Sequence, residues 1–597
     1  MKLYRFAIPV AFLLLLGSLW SPARSNATAD VPALAGDALT PPPRSATTAA
    51  TVAADNLAPS FYQPSAFLAG RVAVQAIFVE SNGSQEPSTH DWTEGQMAAV
   101  RAQMASALDW WRTHLPNAHL SFDLSSRVAT SGYEPIRHTL ASEGLWISEA
   151  LSSMGASGLN YFEQAYTANQ NLRQERGADW AATIFIANSK DVPGGSFADG
   201  RFAYAYISGP FMVVTSDAGP YGINQMAQVV THELGHIFGA LDQYAAAVTP
   251  CTAQSGYLAV PTTNSQFNSC GTQLGSIMLE PLSAYQAGQI DPSALGQLGY
   301  RDSDGDGIPD PLDTTPTAQL QIDRPAGGGR PTLAGHVIDQ PYLSPFDRPT
   351  TINTITRAEY QVDGGEWFVL PPQDGAYDSA SEPIAWTLPL YDGRHTIRLR
   401  AANSLGARSS VSSATVDVSG VGAAPAYLVG APEIANTTLI SVSLDAPAGS
   451  SVQISEDPLF AQASWQPAAA SIRWQLHPQD GLHTLYVRLR DPGGLESLPV
   501  TRSVTLDRTP PTGLSIRHAQ PSPWLEIQAE DAGSRLVAIQ VVSGQGSADD
   551  WQPYQTALPL AAQAGRITVR VRDEAGNISA PLTVLSDGPR YLPLLIQ

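Results

Sequence analysis

The chain has 597 residues, 43% of them hydrophobic and 15% charged, with a formal charge of −21. That length exceeds what one core organises, so about three to five domains are expected, and 49 Gly and 47 Pro against 7 Met fit turn-rich, largely β material better than long helices. The acid excess repels nucleic-acid phosphates and anionic headgroups and no Lys/Arg stripe offsets it, which excludes nucleic acid as a partner.

Lys2 and Arg5 precede an apolar run over 6–20 and small residues over 23–27, the layout of a secretory leader over 1–27. An uncleaved anchor is the alternative, but the run has 15 residues where a spanning helix needs about 20. The chain is therefore expected to be exported, secreted or held at a cell surface, with no transmembrane segment once the leader is removed. Residues 28–70 are Ala-, Thr- and Pro-rich without apolar periodicity and read as a linker or pro-segment. The stretch has no cysteine, so if it silences a metal site it does so by other means.

From Arg71 the texture changes. RVAVQAIFVES reads as a strand, and TEGQMAAVRAQMASALDWWRTHL carries Met97, Val100, Met104, Leu108 and Trp111 at helical spacing. HLSFDLSS, WAATIFIANS, RFAYAYIS and FMVVTS are further strands, and YGINQMAQVVTHELGHIFG is a second helix, with Asn224 or a neighbour as its cap. An α+β domain over 71–300 is expected. In its second helix His232 and His236 lie one turn apart on one face, so both imidazoles reach one zinc ion at about 2.0 to 2.1 Å without bending the backbone. Glu233, next to the first ligand, is placed as general base and acid on the attacking water. Gly239 directly follows the helical pattern and ends it through a left-handed turn, carrying Asp242 towards the metal as third protein ligand. Glu280 is an alternative third ligand, although zinc proteases with a downstream Glu lack the glycine break. The plain alternative makes both histidines ordinary residues of a helix.

The stretch HELGHIFGALDQY resembles the metzincin zinc endopeptidases, whose motif is H-E-x-x-H-x-x-G-x-x-H/D; the aspartate form followed by D-x-Y is similar to secreted snapalysin-like or immune-inhibitor-A-like proteases. The resemblance implies a metzincin-like catalytic domain with a methionine turn. Met278 in GSIMLE would support the site from below without binding metal. It also implies that a peptide substrate lies extended along an upstream edge strand, for which RFAYAYIS is the candidate. Two departures stand out: Glu280 occupies a position where some families place a Tyr that assists the oxyanion, and Asp replaces the commoner His. Cys251 and Cys270, the two cysteines of the chain, form one bridge in an exported protein, worth ~3 kcal/mol in the chain-entropy model, which stiffens the loop between Asp242 and Met278.

DSDGDGIPDPLD, within a spacer over 301–316, sets Asp302, Asp304, Asp306, Asp310 and Asp313 at positions 1, 3, 5, 9 and 12, with Gly307 at 6 and the Ile308 carbonyl at 7. Those are the offsets by which a loop wraps Ca²⁺ in oxygen; a solvated acidic linker is the alternative. The loop resembles thrombospondin type 3 calcium repeats, which implies a calcium-stiffened joint, although it ends in Asp where a bidentate Glu is usual.

Three weakly similar units follow, seen in DGRHTIRLRAANSLGARS, DGLHTLYVRLRDPGGLES and AGRITVRVRDEAGNIS. Their spacing and alternation predict tandem all-β immunoglobulin-like sandwiches over 317–420, 421–507 and 508–587. Trp367, Trp465 and Trp551 are expected in their cores, with carbohydrate or protein contact as the alternative. The apolar tail over 588–597 fits a last strand or an attachment tag equally.

These readings describe a secreted zinc endopeptidase acting on protein or peptide substrates, whose sandwiches engage a cell-surface or extracellular-matrix partner. The alternative is an adhesin with a catalytically inactive metal domain. The chain offers no G-x-S-x-G, no cysteine near a base and no phosphate-binding glycine loop.

Overall fold

The computed structural model describes residues 38–42, 57–271, 273–518, 524–543, 550–559 and 565–586; the leader over 1–27 and the tail over 588–597 lie outside them. The chain divides into two compact units, the first comprising chiefly residues up to 43 and Ser60–Arg301, the second chiefly Asp302 onward. No helix among the described residues is long and apolar enough to cross a membrane.

The first unit is built on β1 (Ala38–Leu39), β2 (Arg71–Ser81), β3 (Ser121–Ser131), β4 (Trp180–Ala187), β5 (Ala203–Tyr206) and β6 (Phe211–Thr215). They form one sheet in the order β1-β5-β6-β4-β2-β3. β3, β2, β4 and β6 are parallel, and β5, with β1 parallel to it, runs antiparallel to its neighbour β6. Parallel strands are covered on both faces, and every residue of β4, WAATIFIA, is buried. α2 (Glu143–Ser153) and α3 (Tyr161–Arg176) bring Trp146, Ile147 and Phe162 onto the face carrying Ile77, Phe185, Phe211 and Val213. α1 (Glu94–His114) starts on a Thr93–Gln96 capping box and lays Arg101 over the ring of Phe78 on the other face. It packs on α4 (Met226–Ile237), which lies along β5 and β6. α5 (Pro281–Ala287) and α6 (Pro292–Gln297) complete the unit, N-capped by Glu280 and Asp291.

The first unit departs from the sequence expectations in places. α4 has no side-chain cap: Asn224 sits in a short 3-10 turn, Ile223–Gln225, that leads into the helix. α2 and α3 are helices beyond the two expected from the sequence. The stretch 28–70 is not linker throughout, because Phe67 and Leu68 are each 1% exposed and Leu68 N–H donates to Leu298 O at 2.9 Å. Phe67 stacks edge-on against Trp180 and Tyr257, so this short apolar run is fixed by partners distant in sequence.

Among its described residues the second unit holds three β-sandwiches, each a three-stranded sheet facing one of four or five strands. The first faces Pro316–Asp323, Thr332–Asp339 and Ser381–Thr387 with a sheet centred on Ile355–Val362 and Gly393–Asn403; Leu333, Val337, Ile397 and Leu399 fill its core. Val442, Leu485 and Val487 do the same in the second, and Ile527, Val569 and Val571 in the third. The repeat shows in its hydrogen bonds. Ser409, Ser497 and Ser579 accept from Ala401, Leu489 and Val571 N–H at 2.9 to 3.0 Å, each closing the same turn. The tryptophans are not core residues as expected: Trp367, Trp465 and Trp551 are half-buried, with Arg400, Arg490 and Arg572 stacked 4.0 to 4.7 Å over their rings. A cation over an aromatic face covers the ring without burying it.

Candidate metal centre

α4 is buried along its whole length, so its polar residues must be satisfied from within. His232 Nδ1 lies 2.8 Å from Ile277 O and His236 Nδ1 2.7 Å from Ala240 O. A carbonyl only accepts, so each Nδ1 donates its proton there and each ring turns its Nε2 inward. The two Nε2 atoms stand 3.1 Å apart, and Asp242 Oδ1 lies 3.0 Å from the first and 3.2 Å from the second. Two imidazole nitrogens and a carboxylate oxygen gathered this closely are a donor set that a metal ion can join. The spacing approaches the edge of a zinc tetrahedron with 2.0 to 2.1 Å bonds, about 3.3 Å. Burial opposes ionisation of Asp242, yet the His236 and His232 rings hold its carboxyl far below the usual carboxylate range.

Asp242 reaches this point because the chain reverses at Gly239, which has φ 95°. Gly239 N–H donates to His236 O and Ala240 N–H to Gly235 O, closing the helix end before the chain turns back. Met278 and its neighbours form the floor. Ile277 supplies the carbonyl that orients His232, Met278 O accepts Gln243 N–H at 2.9 Å, and the Met278 side chain, fully buried, lies against Gly235 between the histidines. Glu233 is 0% exposed beside His232. Glu280 caps α5, accepting Leu282 and Ser283 N–H, and is not drawn to the histidines. Cys251 and Cys270 are bridged with Cα atoms 5.6 Å apart.

A polar network behind the site was not anticipated. Gln243, 0% exposed, donates through Nε2 to Asp291 Oδ2 and accepts Asn264 Nδ2 at 2.9 Å, while Ser276 Oγ also donates to Asp291. It locks the residue after Asp242 to the strand of chain that carries Met278. Glu143, 2% exposed, was missed too: it accepts hydrogen bonds from the hydroxyls of Tyr161, Tyr204 and Tyr206. Burial raises its pKa, against the lowering effect of those hydroxyls. Tyr204 and Tyr206 alternate along β5, so this carboxyl anchors one face of the strand beside the metal centre.

The acidic loop is assembled only in part. Oxygens of Asp302, Asp304 and Asp306 lie within 4.8 Å of one another, and Gly307 takes φ 91° while donating to Asp302 Oδ2 at 2.9 Å. Ile308 N–H donates to Asp306 at 2.8 Å. Asp310 departs from the expected set: it is 7% exposed and accepts Ser303 N–H and Oγ–H, both at 2.8 Å. Asp313 is not in the cluster formed by the first three, and burial with the neighbouring carboxylates raises its pKa.

No family model matches the chain, and no curated protein matches it. Among solved structures it is similar to the FN1–FN3 domains of chicken CNTN1, at 12% identity over 46% of this chain and 98% of that one, with a TM-score of 0.21. Fibronectin(III)-like modules of Clostridium thermocellum CbhA match at 13% identity over 26% and 91%, with a TM-score of 0.20. The central fibronectin-III array of RIM-binding protein matches at 12% identity over 46% and 97%, with a TM-score of 0.14. At these TM-scores the likeness supports neither a superposition nor a function.

Proposed function

We propose that the chain is an exported zinc-dependent endopeptidase in which His232, His236 and Asp242 hold the metal and Glu233 is the general base and acid. The observation that carries this reading is the meeting of two imidazole Nε2 atoms and one carboxylate oxygen within 3.2 Å of one another. Zinc held by these three residues would supply Lewis-acid chemistry, lowering the pKa of a water towards about 7 and polarising a carbonyl. The chain's residues supply the remainder. The Ile277 and Ala240 carbonyls fix both rings, Met278 supports the helix between them, and the Glu233 carboxylate takes a proton from the attacking water and returns it to the leaving amine. The second-unit sandwiches would hold the enzyme at a surface or on a large substrate.

Casein hydrolysis with and without a zinc chelator tests the reading, together with metal analysis of the purified chain. Activity lost on chelation, restored by zinc and abolished in Glu233→Ala is expected; full activity in Glu233→Ala sinks it. The calcium loop is a separate part of the proposal, with Asp302, Asp304, Asp306 and the Ile308 carbonyl as ligands. Calcium titration by calorimetry should show binding that Asp304→Ala removes, and equal binding in that variant counts against the site.

A further inference from the structure

The first and second sandwiches meet at the turn carrying Glu496. The Tyr391 hydroxyl and Arg330 Nη2–H, both of the first, donate to Glu496 O at 3.1 and 2.6 Å. Beside this contact lies a cavity of about 510 Å³, inside the roughly 300–1,000 Å³ usual for small-ligand sites. Tyr360 and Trp386 wall it from the first sandwich and Phe460 from the second. Two of its lining groups are donors whose capacity the chain leaves unmet. Trp386 Nε1–H is buried and has no hydrogen-bond partner among the described residues; the Tyr360 hydroxyl beside it lies outside hydrogen-bond geometry. Arg330 is held by main chain alone, with Nε–H on Leu390 O at 3.2 Å and the Tyr391 ring 5.2 Å from its guanidinium carbon. No carboxylate among the described residues pairs with it. Arg488 and Arg490, by contrast, share the Glu496 carboxylate, at 3.2 and 2.6 Å. Guanidinium therefore exceeds carboxylate around this cavity, in a chain whose net charge is −21.

Both unmet groups donate, so a fitting ligand brings acceptors. Arg330 is a permanent cation with a planar fork of N–H groups, which matches a carboxylate. The aromatic walls suit the apolar face of a ring, and a buried indole N–H suits a ring oxygen or hydroxyl at its edge. A polyanion is disfavoured, because the acidic chain repels repeated negative charge. One carboxylate seated on Arg330 escapes that repulsion, since exposed charges beyond about 8 to 10 Å are screened. We propose that this cavity binds the sugar-acid end of an oligosaccharide, with its carboxylate on Arg330, an oxygen on the Trp386 N–H and its ring against Tyr360 and Phe460. The site lies within the sandwiches and does not rest on the peptidase reading; it gives a chemistry to the surface at which they would hold the chain.

The test is calorimetric titration of the full chain with two singly charged acidic saccharides, sialyllactose and a xylotriose carrying one glucuronic acid. Lactose and xylotriose are the neutral counterparts, and benzoate stands for an aromatic acid. Arg330→Gln removes the cation and Trp386→Phe removes the N–H while keeping a ring, with near-ultraviolet circular dichroism as the check that each variant is folded. At least one acidic saccharide should bind at millimolar concentration or below, about tenfold more tightly than its neutral counterpart and than benzoate. Which of the two binds separates a sialic from a uronic acid. Arg330→Gln should weaken that binding about tenfold and Trp386→Phe by a smaller factor. No binding of either acid, equal binding of acid and neutral sugar, benzoate binding as tightly as the sugars, or parent affinity in both variants would each overturn the inference. Binding as expected in a chain that does not cleave casein upholds it and removes only the peptidase reading.

Discussion

A β-carbon added at Gly235 would fall 2.7 Å from Met278 Sδ and 3.3 Å from its Cε. The methionine therefore fills the space that the missing side chain leaves under the helix, between the two histidines. Gly235→Ala forces a buried side chain to move and should lower stability by ~1–3 kcal/mol. Met278→Ala opens a cavity and should lower it by ~2–5 kcal/mol. The double variant should lose less than the sum, since the added methyl occupies part of that cavity. Urea unfolding of all four proteins measures the coupling, and agreement with simple addition to within ~0.5 kcal/mol would refute the contact.

The convergence of His232, His236 and Asp242 predicts a metal-linked stability. A ligand that binds only the folded state at 100 times its Kd adds ~2.7 kcal/mol. Zinc should therefore raise the melting temperature of the parent chain and leave His236→Ala and Asp242→Ala nearly unmoved. Calorimetry with and without zinc decides it; an equal shift in parent and variants would place the ion elsewhere.

What the sequence disclosed follows from how locally each feature is determined. β2 was legible to the residue, because RVAVQAIFVES is a continuous β-prone run between turn signals. The His232/His236 pair was legible because an i,i+4 spacing fixes geometry within one helix, and Asp242 because a glycine marked the reversal that delivers it. The Gln243–Asp291–Asn264 network was hidden, since its hydrogen bonds join residues 21 and 48 positions apart and no local pattern encodes them. Phe67 and Leu68 were hidden for the same reason. At Asp310 a loop pattern gave way to tertiary context, because Ser303 offers two donors to that carboxylate.

Glu143 gives a pH dependence of definite sign. Burial raises its pKa in the folded chain, the tyrosine hydroxyls opposing, so the folded state holds its proton to higher pH than the unfolded state does. Its contribution is fully present below the unfolded value and is lost as pH rises through the folded one. The parent should therefore be favoured over Glu143→Gln most strongly in acid and progressively less towards neutral pH. Urea midpoints of the two proteins at pH 4 and pH 8 check this, the difference between them removing other titrating groups. A gap that widens with pH would contradict the burial argument. Because Tyr204 and Tyr206 lie on β5, the variant should also exchange faster along that strand.

Gly239 separates conformational strain from lack of room. It has φ 95°, and a β-carbon there would meet Gly256 Cα at 2.7 Å and Gly256 N at 3.1 Å. Gly177, which ends α3 with φ 56°, has nothing within 4 Å of the corresponding position. Alanine at 177 bears only the left-handed backbone, ~1–2 kcal/mol. At 239 the same term is joined by a clash with main chain that cannot rotate aside, so the loss should exceed that of Gly177→Ala by ~1–3 kcal/mol. The consequences differ in kind as well. Residue 239 sets the reversal that brings Asp242 to the histidines, so Gly239→Ala should weaken zinc binding, while Gly177→Ala should leave it unchanged. Zinc titration of both variants by competition with a chromogenic chelator separates the cases, and equal affinities would show that the reversal survives without glycine.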